Sequence, residues 1–301
     1  MNRRVRVALL VVAAALALVP LIADRFWVQF AAKVMISCIF AASLDLLVGY
    51  GGMVSLAHAA FYGLAAYLLA GLSNGAGIAA LPASLPLCLL GVGIVALGIG
   101  WLTLRTSGVY FVMVTLAFTE MLFHLFNEAP GLGGSDGLYI SSRPIAQRTT
   151  VYVAIWASLV AAYLLLERVA RGPFGRVLVG IRINEARMRT LGFPTRRYKL
   201  TAFVIGALVA GLAGYLDATL YGFVNPAQLG WRQSGLVLVT VLLGGKGTLY
   251  GPMLGAALIT LVEHFAAGAT EYWGTLIGAI AIATVLLLPA GLAGVLQGTR
   301  G

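Results

Sequence analysis

The side chains able to do chemistry are few and scattered. His58 and Ser55 sit in a glycine-punctuated stretch, GYGGMVSLAHAAFYGLAAY (residues 49–67). A histidine there invites a proton relay, yet no acidic residue lies close to it in sequence, so it reads as a neutral hydrogen-bonding residue near a helix start. Glu120 and His124 stand four apart on one face of an apolar run. Asp45 and Asp217 each follow a leucine near the end of such a run. GGKGTLYG (residues 244–251) sets glycines beside a lysine, but not at the G-x-x-x-x-G-K-[ST] spacing that wraps phosphates before a helix; helix packing and a tight turn explain it better. Cys38 and Cys88 lie inside apolar runs without C-x-x-C or Cys/His spacing, which makes them small core residues and suggests neither metal nor redox chemistry. A membrane enzyme would need an H-E-x-x-H, a paired-Asp motif or a Ser/His pair, and the sequence has none of these.

The elements that must position these residues are apolar throughout. Of 301 residues, 60% are hydrophobic and 10% charged, with a mean hydropathy of +0.96, beyond what a soluble domain of this size tolerates. Continuous apolar runs, without strand-like alternation, predict an all-α polytopic membrane protein. Runs bounded by breakers predict about ten spans, near 6–23, 28–48, 54–72, 80–103, 108–126, 151–169, 200–220, 234–249, 251–268 and 274–290. The first has the basic start and apolar run of a secretory signal but a poor small-x-small pattern around Leu21 to Ala23, so an uncleaved helix is expected. With the amino terminus inside, fifteen of the 20 basic residues fall on the inner side, including Arg105, Lys246, Arg300 and the nine from Arg168 to Lys199. The outer five are Arg25, Lys33, Arg143, Arg148 and Arg232. The positive-inside rule then puts both termini in the cytoplasm, and the net charge of +10 needs no nucleic acid.

Two polar loops differ in kind. The outer one, residues 124–150, is rich in Gly, Ser, Asn and Pro and suits turns and a docking surface. The inner one, residues 171–200, contains a short amphipathic helix from Ile181 to Leu191, ended by Gly192 and Pro194. Such a helix either lies among headgroups with its arginines on anionic lipid, or fits a groove in a cytoplasmic partner through Ile183 and Leu191. The residue chemistry leaves both open.

The residues of that loop, GRVLVGIRINEARMRTLGFPTRRYKLTAFVIGALVAGLAGYLDA, resemble the branched-chain amino acid ABC permeases of the LivM branch, through Gly175, Arg176, Ile181, Arg182, Asn184, Glu185, Leu191 and Gly192. The stretch from Gly49 is similar to the same family through Gly49, Gly52, Ser55, Leu56, Ala60, Phe61, Ala66 and Tyr67, and VLLGGKGTLYGPMLGAAL matches a third family motif. Ala57 and Ala65 replace the family's usual glycines, and Met188 replaces a usual alanine. The resemblance implies an importer permease subunit that pairs with a second, homologous permease, two cytoplasmic ATPases and a periplasmic binding protein in a bacterial inner membrane. ATP and Mg would sit on the ATPases, with no cofactor or metal in this chain and no enzymatic role for it. It also implies that the loop helix is a coupling helix seated in an ATPase cleft, with Arg182, Asn184, Glu185, Arg187, Met188, Leu191 and Gly192 as the coupling residues and Arg189 as a further polar contact. Family members carry branched-chain amino acids, other amino acids, urea or short amides.

The whole chain, 1–301, then forms one transmembrane domain. Its first helix, 6–23, precedes repeat one (about 28–126), the coupling loop (about 170–199) and repeat two (about 200–290). The repeats are four-helix blocks starting from opposite sides, with Leu-Asp before a glycine-containing break at the end of each first span. Pathway or helix-packing candidates are Gly49, Gly52, Ser55, His58, Phe61, Gly63, Gly244, Gly245, Gly247 and Gly251. Ser55 is expected to cap the helix that follows, whose alanines and Gly63 offer a close-packing face. Asp45, Asp217, Glu120 and His124 lie near span ends, where headgroup water can reach them; any of them that faces the bundle instead is a candidate for helix pairing or for the substrate's amino group. An ion-coupled transporter or facilitative channel is the alternative class. It would carry mid-span acids and leaves the basic loop unexplained.

Overall fold

The computed structural model describes residues 3–22, 24–78, 80–142, 144–145, 147–269, 273–287 and 291–297. Ala23, Arg143, Arg300 and the last three residues of the tenth expected span lie outside these. Among the described residues, each apolar run forms a helix over most of its length. Helix α1 is Arg3–Ile22, α2 Arg25–Asp45, α3 His58–Gly75, α4 Leu81–Thr103 and α5 Val109–Glu128. After a loop come α6 Arg148–Arg171, α7 Pro173–Ile183, α8 Glu185–Thr190 and α9 Thr195–Tyr221; then α10 Trp231–Gly244, α11 Tyr250–Ala269, α12 Trp273–Leu287 and α13 Gly291–Gln297. Among the described residues, five helices are long and apolar enough to cross a membrane. Helix α10 is shorter, at 14 residues.

Termini follow local chemistry. Proline at the first turn starts α4 and α7, where its missing N–H costs nothing. Gly222, at φ +67°, closes α9 and donates its N–H to the Ala218 carbonyl at 2.8 Å. The only strands among the described residues are β1 (Leu138–Tyr139) and β2 (Phe223–Val224), an antiparallel pair that ties the 129–147 loop to the chain after α9. Asn74 fastens the same loop to α3, donating to the Tyr139 carbonyl at 2.8 Å and accepting from the Ser141 N–H at 2.9 Å.

Burial separates a core from a lipid-ready rim. The apolar stretch of α2 is 78% buried and that of α9 67%, against 22% for α5. Around the rim α4, α5 and α6 expose Leu90, Ile94, Met113, Leu125 and Leu164, a surface suited to hydrocarbon and not to water. Inside, α9 lies against α3 and α4, while α2 lies against α10 and α11, and the two central helices also touch. Close approach rests on small residues: a Cβ at Gly214 would run into the Tyr62 backbone, and one at Gly211 would stand 3.2 Å from Val92. Cys38 and Cys88 are buried and unbridged, as their apolar surroundings suggest.

Several boundaries differ from expectation: α3 begins at His58 and not at residue 54, α10 ends at Gly244 and not at 249, and the basic loop breaks as well. The loop helix does not run unbroken from Ile181 to Leu191. Ile181 to Ile183 finish α7, Asn184 is extended (φ −155°, ψ 96°), and α8 begins at Glu185. The cause is capping: the Asn184 Oδ1 accepts the Arg187 N–H at 2.9 Å, which starts a new helix instead of continuing the old one.

Candidate functional site

Helix α2 ends in an irregular break, and three distant stretches of sequence meet there. A π-turn, Leu46–Tyr50, leads to Gly51 and to Gly52 at φ +65°. The freed groups find partners inside the segment: the Gly51 N–H bonds the Leu46 carbonyl and the Met53 N–H the Leu47 carbonyl, at 3.2 and 2.9 Å. Asp45 at the helix end is fully buried. Its Oδ1 accepts the Gly247 N–H at 2.7 Å and its Oδ2 the Leu249 N–H at 3.0 Å. A carboxylate at a helix carboxyl end opposes the helix dipole, and two charge-assisted bonds offset that. They also hold the turn between α10 and α11, where Gly247 (φ +83°) and Leu249 (φ 58°) adopt left-handed backbone. Gly49 lies so close to Gly247 that a Cβ would stand 2.7 Å from its Cα.

The basic loop reaches the same place. From the end of α7 the Arg182 guanidinium donates to the Gly49 carbonyl. Its stem crosses Gly52, where a Cβ would meet the Arg182 Cγ at 2.7 Å, and its charge acts on Asp45. One arginine therefore links the loop, the break and the glycine turn.

Helix α8 is latched to the start of α9. Glu185 Oε1 accepts from Arg189 Nη2 at 2.6 Å and from Thr195 Oγ1 at 3.0 Å, and its Oε2 binds Lys199 Nζ. Burial alone would raise the Glu185 pKa. The hydrogen bonds from Lys199 and Arg189, the Lys199 charge and Thr195 outweigh it and hold the carboxyl below its ordinary range. The sign follows from linkage: with the folded value below the unfolded one, the latch contributes fully above the ordinary carboxylate range and is lost as pH falls through the lower folded value. Amide exchange of residues 187–191, corrected for intrinsic rate, is expected to speed up on acidification through that window. A Glu185→Gln variant should exchange fast above it as well. Protection unchanged on acidification, or in the variant, contradicts the latch.

The other loop residues divide between packing and exposure. Met188, half-buried, packs its sulfur over Gly180 of α7, where a Cβ would stand 2.9 Å away. Ile183 and Leu191 are 80% and 64% exposed, and Arg187 is exposed beside them. Gly192 ends α8 at φ +87°, its N–H on the Arg189 carbonyl at 2.9 Å.

The stretch after the break is anchored by side chains from elsewhere. Ser55 does not cap α3: its hydroxyl accepts the Ala57 N–H at 3.2 Å, forming a turn before the helix. The cap comes from α10, whose Ser234 hydroxyl takes the Ala59 N–H at 3.0 Å. Thr115 and Thr119 of α5 bond the Leu56 N–H and carbonyl at 3.2 and 2.8 Å. His58 is buried with its ring between Phe40 and Phe61, with centroids 6.3 and 6.4 Å away. Among the described residues no carboxylate bonds it. Phe61 meets Phe203 edge-on at 5.5 Å, and Gly63 gives room to Leu229. Gly244 and Gly251 face each other across the α10–α11 crossing, with Gly245 (φ +104°) in the turn between them.

Neither central aspartate reaches headgroup water. Asp217 is as buried as Asp45, pairing with Lys33 of α2 at 3.2 Å and accepting from Gln228 at 3.2 Å. These partners lie 184 and 11 residues away, and sequence spacing gives no sign of the first. His124 lies 3.4 Å from Glu128, and Glu120 instead accepts the Trp231 N–H that starts α10. Among the described residues, no group of three or more His, Cys, Asp or Glu is placed to hold a metal ion.

Comparison with known proteins fits this architecture. The family described as branched-chain amino acid transport system, permease component, matches residues 26–285. The high-affinity branched-chain amino acid transport system permease protein LivM of Escherichia coli K12 is 30% identical over 320 residues, covering 95% of this chain and 73% of the relative. LivH of Salmonella typhimurium, named as a permease of the same system, is 30% identical over 56% of this chain and 54% of its own length. The autoinducer 2 import system permease protein LsrC of Klebsiella pneumoniae is 31% identical over 51% of this chain and 47% of its own. No solved structure matches.

Proposed function

The chain belongs to the branched-chain amino acid transport system permease family, and from that membership we propose that it is the permease subunit of an ATP-driven, binding-protein-dependent importer. In this reading it forms half of a translocation path for branched-chain amino acids or a related small polar solute. Its partners are a second homologous permease, two cytoplasmic ABC ATPases that carry ATP and Mg, and a periplasmic binding protein. It lies in a bacterial inner membrane with both termini and the basic loop in the cytoplasm.

Beside that membership, the observation that carries the proposal is the contact of Arg182 with the break after α2. A loop pushed by an ATPase moves α7 and α8. Arg182 passes that displacement to Gly49, and Asp45 passes it to the turn between α10 and α11. The latch at Glu185 makes α8 and the start of α9 move together. Exposed Ile183 and Leu191 give the ATPase apolar anchors.

The packing supports two inverted repeats, α2 to α5 and α9 to α12. The first helix of each lies against the second and third helices of the other, α2 on α10 and α11, and α9 on α3 and α4. The buried aspartates argue against ion coupling, since one is committed to backbone N–H groups and the other to Lys33. In proteoliposomes holding the whole complex, uptake of L-leucine is expected to need ATP, the binding protein and both ATPases. Uptake driven by an ion gradient without ATP would establish the secondary-transporter class instead.

A further inference from the structure

We infer that a polar cleft between α2, α10 and α11 is a binding station on the translocation path for an α-amino acid zwitterion, with Lys33 taking its carboxylate and Glu263 its ammonium. The inference rests on the permease reading above and adds the site and the charge state of the solute. The cleft has a volume of about 100 Å³, room for several waters. Each helix turns one face to it at helical spacing: Lys33 and Ser37 from α2, Gln233 and Thr240 from α10, Thr260 and Glu263 from α11. In the topology proposed here Lys33, Gln233 and Glu263 stand toward the periplasmic end of their helices, so the mouth faces the binding protein.

The charges are arranged in two layers. At the back, Asp217 is buried and spends its oxygens on Lys33 and Gln228, with Tyr62 close beside it. This fixes the Lys33 ammonium, which also lies 5.5 Å from the centre of the Tyr221 ring. An ammonium has three donors, and with its side chain 34% exposed Lys33 keeps part of that capacity for the cleft. At the front, Glu263 is near enough to act on Lys33. Among the described residues it makes no ion pair.

A carboxylate on a membrane helix that makes no ion pair among the described residues is costly and calls for a closer cationic partner. A zwitterion offers an ammonium to Glu263 and a carboxylate to Lys33 within one small molecule. A neutral urea or amide would leave the Glu263 charge unmatched. Phe40, Val237 and Ile259 line the same cleft and offer an apolar wall to an aliphatic side chain.

The test uses the full complex in proteoliposomes with its binding protein and labelled L-leucine. Glu263→Gln is expected to lower uptake about tenfold or more, the scale of losing one charge-assisted contact. Leu258→Ala, on the exposed side of the same helix, should stay within about twofold of wild type, the effect usual for a surface substitution. Lys33→Gln also strands Asp217 and can fail to assemble, so a second measurement stands beside the Glu263 variant. A Ser37→Cys side chain should react with an impermeant thiol reagent from the binding-protein side, and leucine delivered by the binding protein should slow that reaction. Glu263→Gln importing leucine like wild type, or Ser37→Cys labelling unaffected by leucine, overturns the station. Either result leaves ATP-driven import intact and so separates this failure from that of the permease reading; a wild-type complex that imports urea or an amide with ATP but no amino acid overturns the station alone, and one that imports none of these solutes with ATP ends both.

Discussion

An Arg182→Ala permease is expected to assemble with its partners and hydrolyse ATP while importing solute roughly 5- to 150-fold more slowly, the span of a lost coupling free energy between two sites. The reason is geometric. Arg182 bonds the Gly49 carbonyl and lies across Gly52, so its removal detaches the basic loop from the break while leaving the apolar contacts of α2 in place. Arg182→Lys should recover part of the transport, because the stem and charge survive but the planar fork does not. Import and ATP hydrolysis measured on the same proteoliposomes check this. Normal import by the alanine variant, or loss of both activities with a fully assembled complex, contradicts it.

The largest effect on stability is expected at Asp45. Asp45→Ala leaves the Gly247 and Leu249 N–H groups without their acceptor in a buried site, at about 1–3 kcal/mol each. The turn that these bonds hold contains a leucine in left-handed backbone, a conformation that persists only while its surroundings enforce it. The variant should melt at a clearly lower temperature in detergent, and Asp45→Asn, which keeps one acceptor oxygen, should fall between. A melting temperature unchanged in the alanine variant would mean that the turn is held by packing alone.

The helices were legible because lipid leaves the backbone no other solution, and each apolar run produced one. The break at Gly49 to Gly52 was legible for a related reason, since glycines clustered in such a run have few other uses. What spacing could not reveal is where polar side chains find partners. Asp45 and Asp217 read as residues near span ends that water can reach, yet Asp45 bonds the turn between α10 and α11 and Asp217 pairs with Lys33 of α2, each partner some 200 residues away in the chain. Ser55 had the right type for a cap, but the cap is Ser234, supplied by another helix. Asn184 was visible in the loop motif, and its preference for the start of a helix was the available sign that the segment from Ile181 to Leu191 breaks there. For Glu185 the loop motif gave no sign of its contacts within the chain, the pairs with Arg189 and Lys199. Lys33 and Glu263 carried no signal in sequence, each standing in an apolar run with no opposite charge within a helical turn or two; only the packing of α2 beside α11 brings them to one cleft.

The central claim is that the surface formed by α7 and α8 is where an ATPase drives this chain. Its apolar residues Ile183 and Leu191 stand exposed beside arginines, a pattern that fits a protein groove and a lipid surface alike. The most direct measurement places a photoreactive benzoylphenylalanine at Ile183 or at Leu191 in the full complex in native membranes and identifies the adducts by mass spectrometry. The account predicts crosslinks from both positions to an ATPase subunit, with yields that change when ATP is added. Adducts with lipid alone at both positions would contradict it.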